Sequence, residues 1–284
     1  MRPLSHLSLL SHPLRSAVIP SRGCLALCLL LLGTPPASAG LVAWWPFSSA
    51  ATVGNDAARG IALSYGPDTN AATTADHAVA LLLGIVRNLG ALDRRMRLGG
   101  WKHPSDEPPA LSGKRLGLAG VGRIGQGIGQ RCEAGFGMEV AYFSRRRRPE
   151  LAWTHMGELA ALAAWCDFLV LALPGDADTH HIVNSAVLKA LGPAGYLVNI
   201  GRGALVDTQA LTVALREHQI AGAALDVFED EPRVSAQLLL LDNVLLSPHL
   251  AGRSPEAQAA MARLLAQNLA AHFGGRPLST PIPA

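Results

Sequence analysis

The chain has 284 residues, of which 49% are hydrophobic and 16% are charged, so it is long and apolar enough to bury a substantial core. Its formal net charge is +3, and the four adjacent arginines at 145–148 exceed that surplus by themselves. A nucleic-acid-binding surface would spread its basic residues over a face or a helix, so no nucleic-acid partner is expected.

The four cysteines form no C-x-x-C pair, and no zinc-type Cys/His spacing is present. Reduced thiols in an intracellular protein are the expected state. No metal site is predicted. His180 and His181 are adjacent, so their rings are expected to face in different directions, which suits a surface loop better than a metal.

The first 40 residues differ in character from the rest of the chain. Scattered arginines precede an apolar run from Cys24 to Leu32, and the small residues Ala37-Ser38-Ala39 follow it. This layout is typical of a secretory signal, although the run is shorter than the roughly 20 residues that span a membrane. The alternative is that the stretch is no natural start of the protein, and both interpretations stay open. Contact with a membrane is expected only if the leader is retained.

Short apolar runs alternate with amphipathic stretches from Leu111 onward. Six runs are predicted as strands: RLGLAG, MEVAYF, DFLVLALP, GYLVNIG, AGAALDV and NVLLSP. Helices are predicted at 123–134, 185–191 and 208–217, from Ser254 to about Phe273, and as one long helix before the sheet from about Thr74 to Trp101. This alternation predicts a doubly wound parallel α/β sheet of the Rossmann type over residues 106–273, ending in a linking helix.

A glycine-rich turn, Gly120-Val-Gly122-Arg-Ile-Gly125, lies between the first predicted strand and the first helix after it. Glycines allow a tight turn and let the backbone approach a pyrophosphate at the helix N-terminus. Because strand, turn, helix and second strand follow in the required order, residues 120 and 122–125 (Gly120, Gly122, Arg123, Ile124, Gly125) are predicted to bind a dinucleotide.

The arginine run follows the second predicted strand, where this fold places the adenosine ribose. An acid there would bind the ribose of NAD, but the sequence has Ser144, Arg145 and Arg146. Guanidinium groups bind a 2′-phosphate through charge-assisted hydrogen bonds, so these three residues predict a preference for NADP(H), with NAD(H) possible. Arg147 and Arg148 are assigned to solvent. The alternative is that the whole run is a solvated basic loop.

Three residues at the carboxyl ends of later strands suit the reduction of a 2-keto acid. Arg202 can pair with the substrate carboxylate and polarise the carbonyl, and His249 can donate the proton. Glu231, if it contacts His249, would favour the charged imidazole and orient it. Taken singly, each has an ordinary structural explanation: a helix-end salt bridge, a capped turn or a loop charge.

Together these motifs resemble the D-isomer-specific 2-hydroxyacid dehydrogenase family, and in particular its bacterial glyoxylate and hydroxypyruvate reductases. The resemblance covers about Thr52 to Pro281 and includes LPGDADT, NIGRGALVD, LDVFEDEP and SPHLAGRSPE in family order. It implies that Arg202, Glu231 and His249 form the catalytic trio. It adds cofactor contacts at Pro174, Thr179 and Asp226, the last at the position that binds the nicotinamide carboxamide. It further implies NAD(P)H-dependent reduction of small 2-keto acids by a cytosolic homodimer.

The segment before the cofactor domain departs from the family pattern. Residues 41–105 and 274–284 are assigned to the substrate lobe, but each strand-helix-strand unit of such a lobe needs roughly 30 residues. The sequence reaches Arg59-Gly60-Ile61 soon after Val53-Gly54, so an α/β lobe truncated in its first half is expected. Val53 and Gly54 match the loop that binds the substrate carboxylate. A catalytically weak dinucleotide-binding protein is therefore the alternative function.

Overall fold

Seven parallel strands form the central sheet of the computed structural model, which describes residues 43–44 and 62–282. The strands are β3 (Arg115–Ala119), β4 (Glu139–Phe143), β5 (Thr154–Met156), β6 (Phe168–Leu171), β7 (Tyr196–Asn199), β8 (Gly222–Leu225) and β9 (Val244–Leu246). Their spatial order is β5-β4-β3-β6-β7-β8-β9. The order reverses between β3 and β6, and this reversal is where doubly wound sheets bind their ligands.

Alternate residues of the central strands pack against two hydrophobic layers, one on each face of the sheet. In β6, Leu169 and Leu171 belong to one buried cluster, whereas Phe168 and Val170 belong to the other. A strand alternates its side chains between faces, so a strand covered on both sides must be apolar throughout. The continuous apolar runs in the sequence have this cause.

Helices cover both faces. They are α1 (Ala71–Val86), α2 (Leu89–Arg97), α3 (Arg123–Phe136), α4 (Leu159–Trp165), α5 (Ser185–Leu191), α6 (Thr208–Arg216), α7 (Ala236–Leu239) and α8 (Pro255–Phe273). The buried residues of α1 and α3 belong to one layer, and those of α4, α5 and α6 belong to the other, apart from a few polar and glycine positions. The predicted doubly wound domain and its six strands are confirmed.

Three local predictions need correction. β5 was not predicted, because this short, partly exposed edge strand lacks an apolar run. The helix after the glycine turn continues past 134 to Phe136, where Gly137 adopts a φ of 59°. The single helix predicted from about Thr74 to Trp101 is wrong: α1 begins at Ala71, and α1 and α2 are bent by 62° at Arg87 and Asn88. Asn88 has a φ of 54°, a left-handed conformation that an α-helix cannot contain.

Within the described residues, no single helix is long and apolar enough to cross a membrane, and α1 and α2 meet that criterion only jointly, as a bent pair.

A small second sheet lies outside the seven strands. β1 (Ala43–Trp44) pairs in parallel with β2 (Leu63–Ser64), and Ser64 forms an antiparallel bridge with Pro281. The Ile282 amide donates to the Leu63 carbonyl at 3.1 Å. The two segments assigned by sequence to the second lobe are therefore in contact. Val53 and Gly54 lie outside the described residues, as does most of the segment that carries them.

Candidate active site

The predicted site residues follow the carboxyl ends of β3, β4, β6, β7, β8 and β9, which lie along one edge of the sheet because all strands are parallel. Two 3-10 turns, Ala177–Thr179 and Gly203–Leu205, continue the loops after β6 and β7. The loops after β6, β7 and β8 enclose a cleft of about 790 Å³. It is lined by Gly175, Asp176, Ala177, Thr179, His180, Arg202, Gly203, Ala204, Phe228, Glu229 and Glu231.

The glycine turn after β3 has the geometry that a bound pyrophosphate requires. Gly120 has a φ of 95°, and a Cβ there would lie 2.7 Å from the Ala172 carbonyl oxygen. A Cβ on Gly125 would collide with the Gly120 carbonyl. A Cβ on Gly122, at the N-cap of α3, would meet nothing within 4 Å. The open position therefore lies beside the first amides of α3, which have no partner within the helix. A dinucleotide pyrophosphate fits this cradle.

Arg123 and Ile124 occupy the first turn of α3. The exposed Arg123 guanidinium forms an ion pair with Asp68 from the segment before α1. Ile124 is half-buried and packs against the core layer of α1 and α3. These two positions therefore offer their main-chain amides at the helix N-terminus, while their side chains contact other parts of the protein.

The arginine run leaves β4 beside the glycine turn and extends into solvent. All four arginines are exposed. The Ser144 hydroxyl donates to the Arg146 carbonyl at 2.6 Å, and the Arg145 guanidinium lies 3.8 Å from the Asp178 carboxylate in the loop after β6. The hydroxyl of buried Tyr142 accepts the Arg148 amide at 2.8 Å and anchors the far end of the run. Arg145 thus reaches across from the end of β4 to the loop after β6, with β3 between them.

Hydrogen bonds within the loop after β6 hold Thr179 in place. Its hydroxyl donates to the Pro174 carbonyl at 3.0 Å, and its amide donates to the Asp176 carboxylate at 3.0 Å. Thr179 is buried and Pro174 is exposed. The two predicted cofactor residues of this loop are therefore in direct contact.

Glu231 and His249 are brought together from the loops after β8 and β9. The His249 Nδ1–H donates to Glu231 Oε2 at 2.7 Å, and Glu231 Oε1 accepts the Phe228 amide at 3.0 Å. The His249 amide donates to the Asp226 carbonyl at 2.8 Å, and its φ is 55°. The imidazole is thus held by a carboxylate on Nδ1, so proton exchange with a substrate is assigned to Nε2.

Arg202 reaches the same cleft from the loop after β7. Its Nη1 donates to the Gly201 carbonyl at 2.7 Å, and its side chain packs so closely on Gly175 that a Cβ there would lie 2.8 Å from it. Asn199 is a residue that the sequence analysis missed. Its amide donates to the Arg202 carbonyl and its oxygen accepts the Gly201 amide, both at 3.0 Å, so it shapes the turn that presents the guanidinium.

Asp226 is fully buried at the end of β8 and holds the loop that carries His249. Its two carboxylate oxygens accept the amides of Leu250 and Ala251 at 2.9 and 2.8 Å. His77 of α1, a second residue that the sequence analysis missed, lies 3.4 Å from the same carboxylate and 3.0 Å from the Ser247 hydroxyl. The sequence signal for His77 was weak, because Thr73, Thr74 and Asp76 precede it as polar residues of the same helix.

The expectation that His180 and His181 face in different directions is wrong. Their rings stack with centroids 3.9 Å apart, because a φ of 51° at His181 turns its side chain back beside its neighbour. His181 Nε2 lies 2.5 Å from Glu229 Oε1 in the loop after β8. Burial alone would raise the pKa of Glu229, but hydrogen bonds from Thr208 and His181 and the His181 charge hold that pKa below its usual value.

The fold and the glycine cradle define a dinucleotide-binding oxidoreductase domain with an imidazole–carboxylate pair at its cleft. Residues 79–251 match the family model "D-isomer specific 2-hydroxyacid dehydrogenase, NAD binding domain". The chain therefore belongs to this family, and its cofactor is a nicotinamide dinucleotide.

Curated relatives and solved structures agree with this assignment. The chain is 42% identical to hydroxyphenylpyruvate reductase of Plectranthus scutellarioides and 43% identical to glyoxylate/hydroxypyruvate reductase A of Arabidopsis thaliana. Each match spans 79% of this chain and 72% of the relative. The crystal structure of NADPH-dependent glyoxylate/hydroxypyruvate reductase from Sinorhizobium meliloti, in complex with NADP and malonate, matches with 39% identity and a TM-score of 0.77. It covers 85% of this chain and 77% of that one.

Proposed function

We propose that the protein reduces small 2-keto acids of the glyoxylate and hydroxypyruvate type to 2-hydroxy acids, with NADPH as the preferred reductant. The observation that carries the proposal is the His249–Glu231 hydrogen bond of 2.7 Å beside a cleft that Glu231 and Arg202 both line. Relatives named for this reaction support the substrate class.

Each member of the trio has one task in this reaction. A bound reduced nicotinamide would supply the hydride. Arg202 pairs with the substrate carboxylate and holds the carbonyl in place. His249 donates its Nε2 proton to the carbonyl oxygen as negative charge develops there, and Glu231 stabilises the charged imidazole through Nδ1. Val53 and Gly54, from outside the described residues, would add main-chain contacts to the carboxylate.

Ser144, Arg145 and Arg146 are proposed to bind the ribose 2′-phosphate. They follow the strand next to the glycine turn, and the exposed guanidiniums can reorient toward a phosphate without loss of a buried contact. The Arg145–Asp178 pair is long and exposed, so little interaction energy opposes that movement. Pro174, Thr179 and Asp226 complete the proposed cofactor contacts.

Loss of NADPH absorbance on addition of keto acids tests the activity. Glyoxylate and hydroxypyruvate are the expected substrates, and hydroxyphenylpyruvate belongs in the panel because a relative carries that name. His249→Gln should lower kcat by about 10²- to 10⁴-fold. His218→Asn is the matched control, since His218 is exposed at the opposite edge of the sheet and Asn tolerates its φ of 52°. Binding of NADPH without turnover of any keto acid would support the alternative of a catalytically weak dinucleotide-binding protein.

The cofactor preference is tested by comparing kcat/KM for NADPH and NADH. The Arg145→Ala/Arg146→Ala double variant should raise KM for NADPH by about tenfold or more, since each hydrogen bond to a charged group contributes about 1.5–3 kcal/mol. It should leave KM for NADH unchanged. Arg147→Ala/Arg148→Ala removes the same charge from the same run as control. Equal efficiency with both cofactors in the unaltered protein refutes the preference.

A homodimer is proposed for the assembled protein. Met96, Leu98 and Trp101 at the end of α2 and just after it are 51%, 88% and 70% exposed, which is costly for apolar side chains unless a partner covers them. Analytical ultracentrifugation should give twice the mass of one chain. Leu98→Asp should weaken the dimer, whereas Leu240→Asp, at a similarly exposed leucine beyond α7, should not.

A cytoplasmic location is also proposed, because NADPH is supplied there. Cell fractionation, combined with mass spectrometry of the native N-terminus, tests it. Recovery of the protein outside the cytoplasm, cleaved after the signal-like leader, would contradict it.

A further inference from the structure

Two loops that line the cleft carry a cluster of metal-ligating side chains that the proposed reaction does not use. His180 and His181 lie after β6, and Glu229 lies after β8. One ligand atom from each of the three residues lies within 4.8 Å of the other two. Two imidazoles and a carboxylate are a ligand set that suits zinc and similar divalent ions, whereas Mg²⁺ and Ca²⁺ prefer oxygen ligands alone.

The spacing of these atoms is close to what a tetrahedral ion needs. Ligand atoms about 2.1 Å from zinc stand about 3.4 Å from one another. His181 Nε2 and Glu229 Oε1, 2.5 Å apart, must open slightly, and no pair, all being within 4.8 Å, must close by more than about 1.4 Å. His180 is exposed, so rotation of its side chain can supply that movement.

The ligands are oriented by groups behind them. The hydroxyl and main chain of Thr208, at the start of α6, act on the Glu229 carboxylate and help to lower its pKa. The His181 amide donates to the Ala204 carbonyl at 2.8 Å, which ties its backbone to the loop after β7. Such outer partners commonly fix the direction of metal-binding histidines and carboxylates. The His181–Glu229 contact already joins the two loops, so an ion would strengthen an existing link.

We propose that His180, His181 and Glu229 form a binding site for a zinc-type divalent cation at the wall of the cleft, with a fourth position open to water. The bound ion joins the loop after β6, which carries Thr179, to the loop after β8, which carries Glu231. None of the three ligands belongs to the Glu231–His249 pair, and the site does not depend on the proposed reduction.

Isothermal titration of the full-length, metal-free protein with Zn²⁺ tests the site. The chain is expected to bind one zinc ion. His180→Ala and Glu229→Gln should each lower the zinc affinity by about 100-fold or more, since loss of even an outer partner costs about 10- to 100-fold in affinity. His180→Ala alters an exposed side chain and should fold normally. Thr208→Val, which removes the outer hydroxyl, should give a smaller loss. Co²⁺ at the same site should show the visible absorption of a tetrahedral complex.

Two controls assign the bound zinc to a place in the chain. His218→Asn removes an exposed histidine from the opposite edge of the sheet and should leave binding unchanged. His249→Gln removes the other imidazole–carboxylate pair and should also leave it unchanged. Absence of zinc binding, equal affinity in the unaltered protein and His180→Ala, loss of binding in His249→Gln alone, or displacement of zinc by equimolar Mg²⁺ would overturn the proposal.

Discussion

Glu231 makes two hydrogen bonds, and a neutral glutamine in its place can keep only one of them. Its Oε1 accepts the Phe228 amide, and its Oε2 accepts the His249 Nδ1–H. In Glu231→Gln the side-chain oxygen can keep the first bond, but the amide nitrogen then faces Nδ1 as a donor. The charged imidazole loses its partner, so we predict a fall in kcat of about 10²-fold or more in steady-state assays.

The affinity for NADPH is the control for that variant. Glu231 belongs neither to the glycine cradle nor to the arginine run, so both of these proposed cofactor contacts remain in Glu231→Gln. The dissociation constant for NADPH, from fluorescence titration, should therefore stay within about twofold of that of the unaltered protein. An unchanged kcat would show that the Glu231–His249 pair has no part in proton transfer.

Gly203 follows Arg202 directly and touches the loop that carries Glu231. A Cβ at Gly203 would collide with the main chain of Phe228 and Glu229. We predict that Gly203→Ala displaces this loop and lowers the free energy of unfolding by about 1–3 kcal/mol. Urea denaturation measures the change, and keto-acid reduction should fall with it.

Gly135→Ala is the matched substitution for this test. Gly135 lies in α3, and a Cβ there meets nothing within 4 Å. Alanine should therefore stabilise the protein by up to about 1 kcal/mol, because it is the better helix former. Equal changes in the free energy of unfolding for Gly203→Ala and Gly135→Ala would mean that the loop after β7 does not pack tightly on the loop after β8.

At the scale of the elements, two thiols report how firmly helices are packed on the sheet. Cys132 lies in α3 and Cys166 ends α4, and both are buried. Burial raises the pKa of each thiol to about 12. Only the thiolate is nucleophilic, so neither cysteine should react with iodoacetamide at pH 8 in the folded protein.

Peptide mapping by mass spectrometry resolves this prediction cysteine by cysteine. Both sites should be labelled fully in denaturant and hardly at all without it. Labelling of Cys166 in the folded protein would mean that α4 detaches from β3, because Gly117 of that strand lies directly beneath its sulfur.

The elements also show where sequence patterns were sufficient. β6 and β8 are buried on both faces, so their apolar runs follow from burial alone and identify them as strands. β5 is paired on one side only and is partly exposed, so no such pattern marks it. The break between α1 and α2 depends on one residue, Asn88, whose left-handed backbone is permitted by its side chain but not required by it.

The whole domain should be stabilised by its cofactor, because a ligand that binds only the folded state shifts unfolding by mass action. At a concentration about 100 times its dissociation constant, NADPH should raise the free energy of unfolding by about 2.7 kcal/mol. This corresponds to an increase of about 5–10 °C in Tm for a domain of this size. Differential scanning calorimetry with and without NADPH measures the shift.

Gly122→Val separates this effect from unspecific stabilisation. The position is extended, with open space where a Cβ would project, so the variant should unfold at nearly the same temperature as the unaltered protein without ligand. The new side chain would occupy the pyrophosphate cradle, so the shift with NADPH should disappear. An undiminished shift would place the dinucleotide elsewhere.

The sequence by itself determined six of the seven sheet strands, the glycine turn and the three loops with Arg202, Glu231 and His249, because the periodicity of burial and the backbone freedom of glycine are local properties of the chain. Only the tertiary structure decided that Glu231 meets His249, that Asn199 and His77 support the site, and that His180 stacks on His181 beside Glu229. These contacts join loops from separate strands, and their distances depend on how the strands are ordered in the sheet and on single backbone angles that no residue pattern specifies.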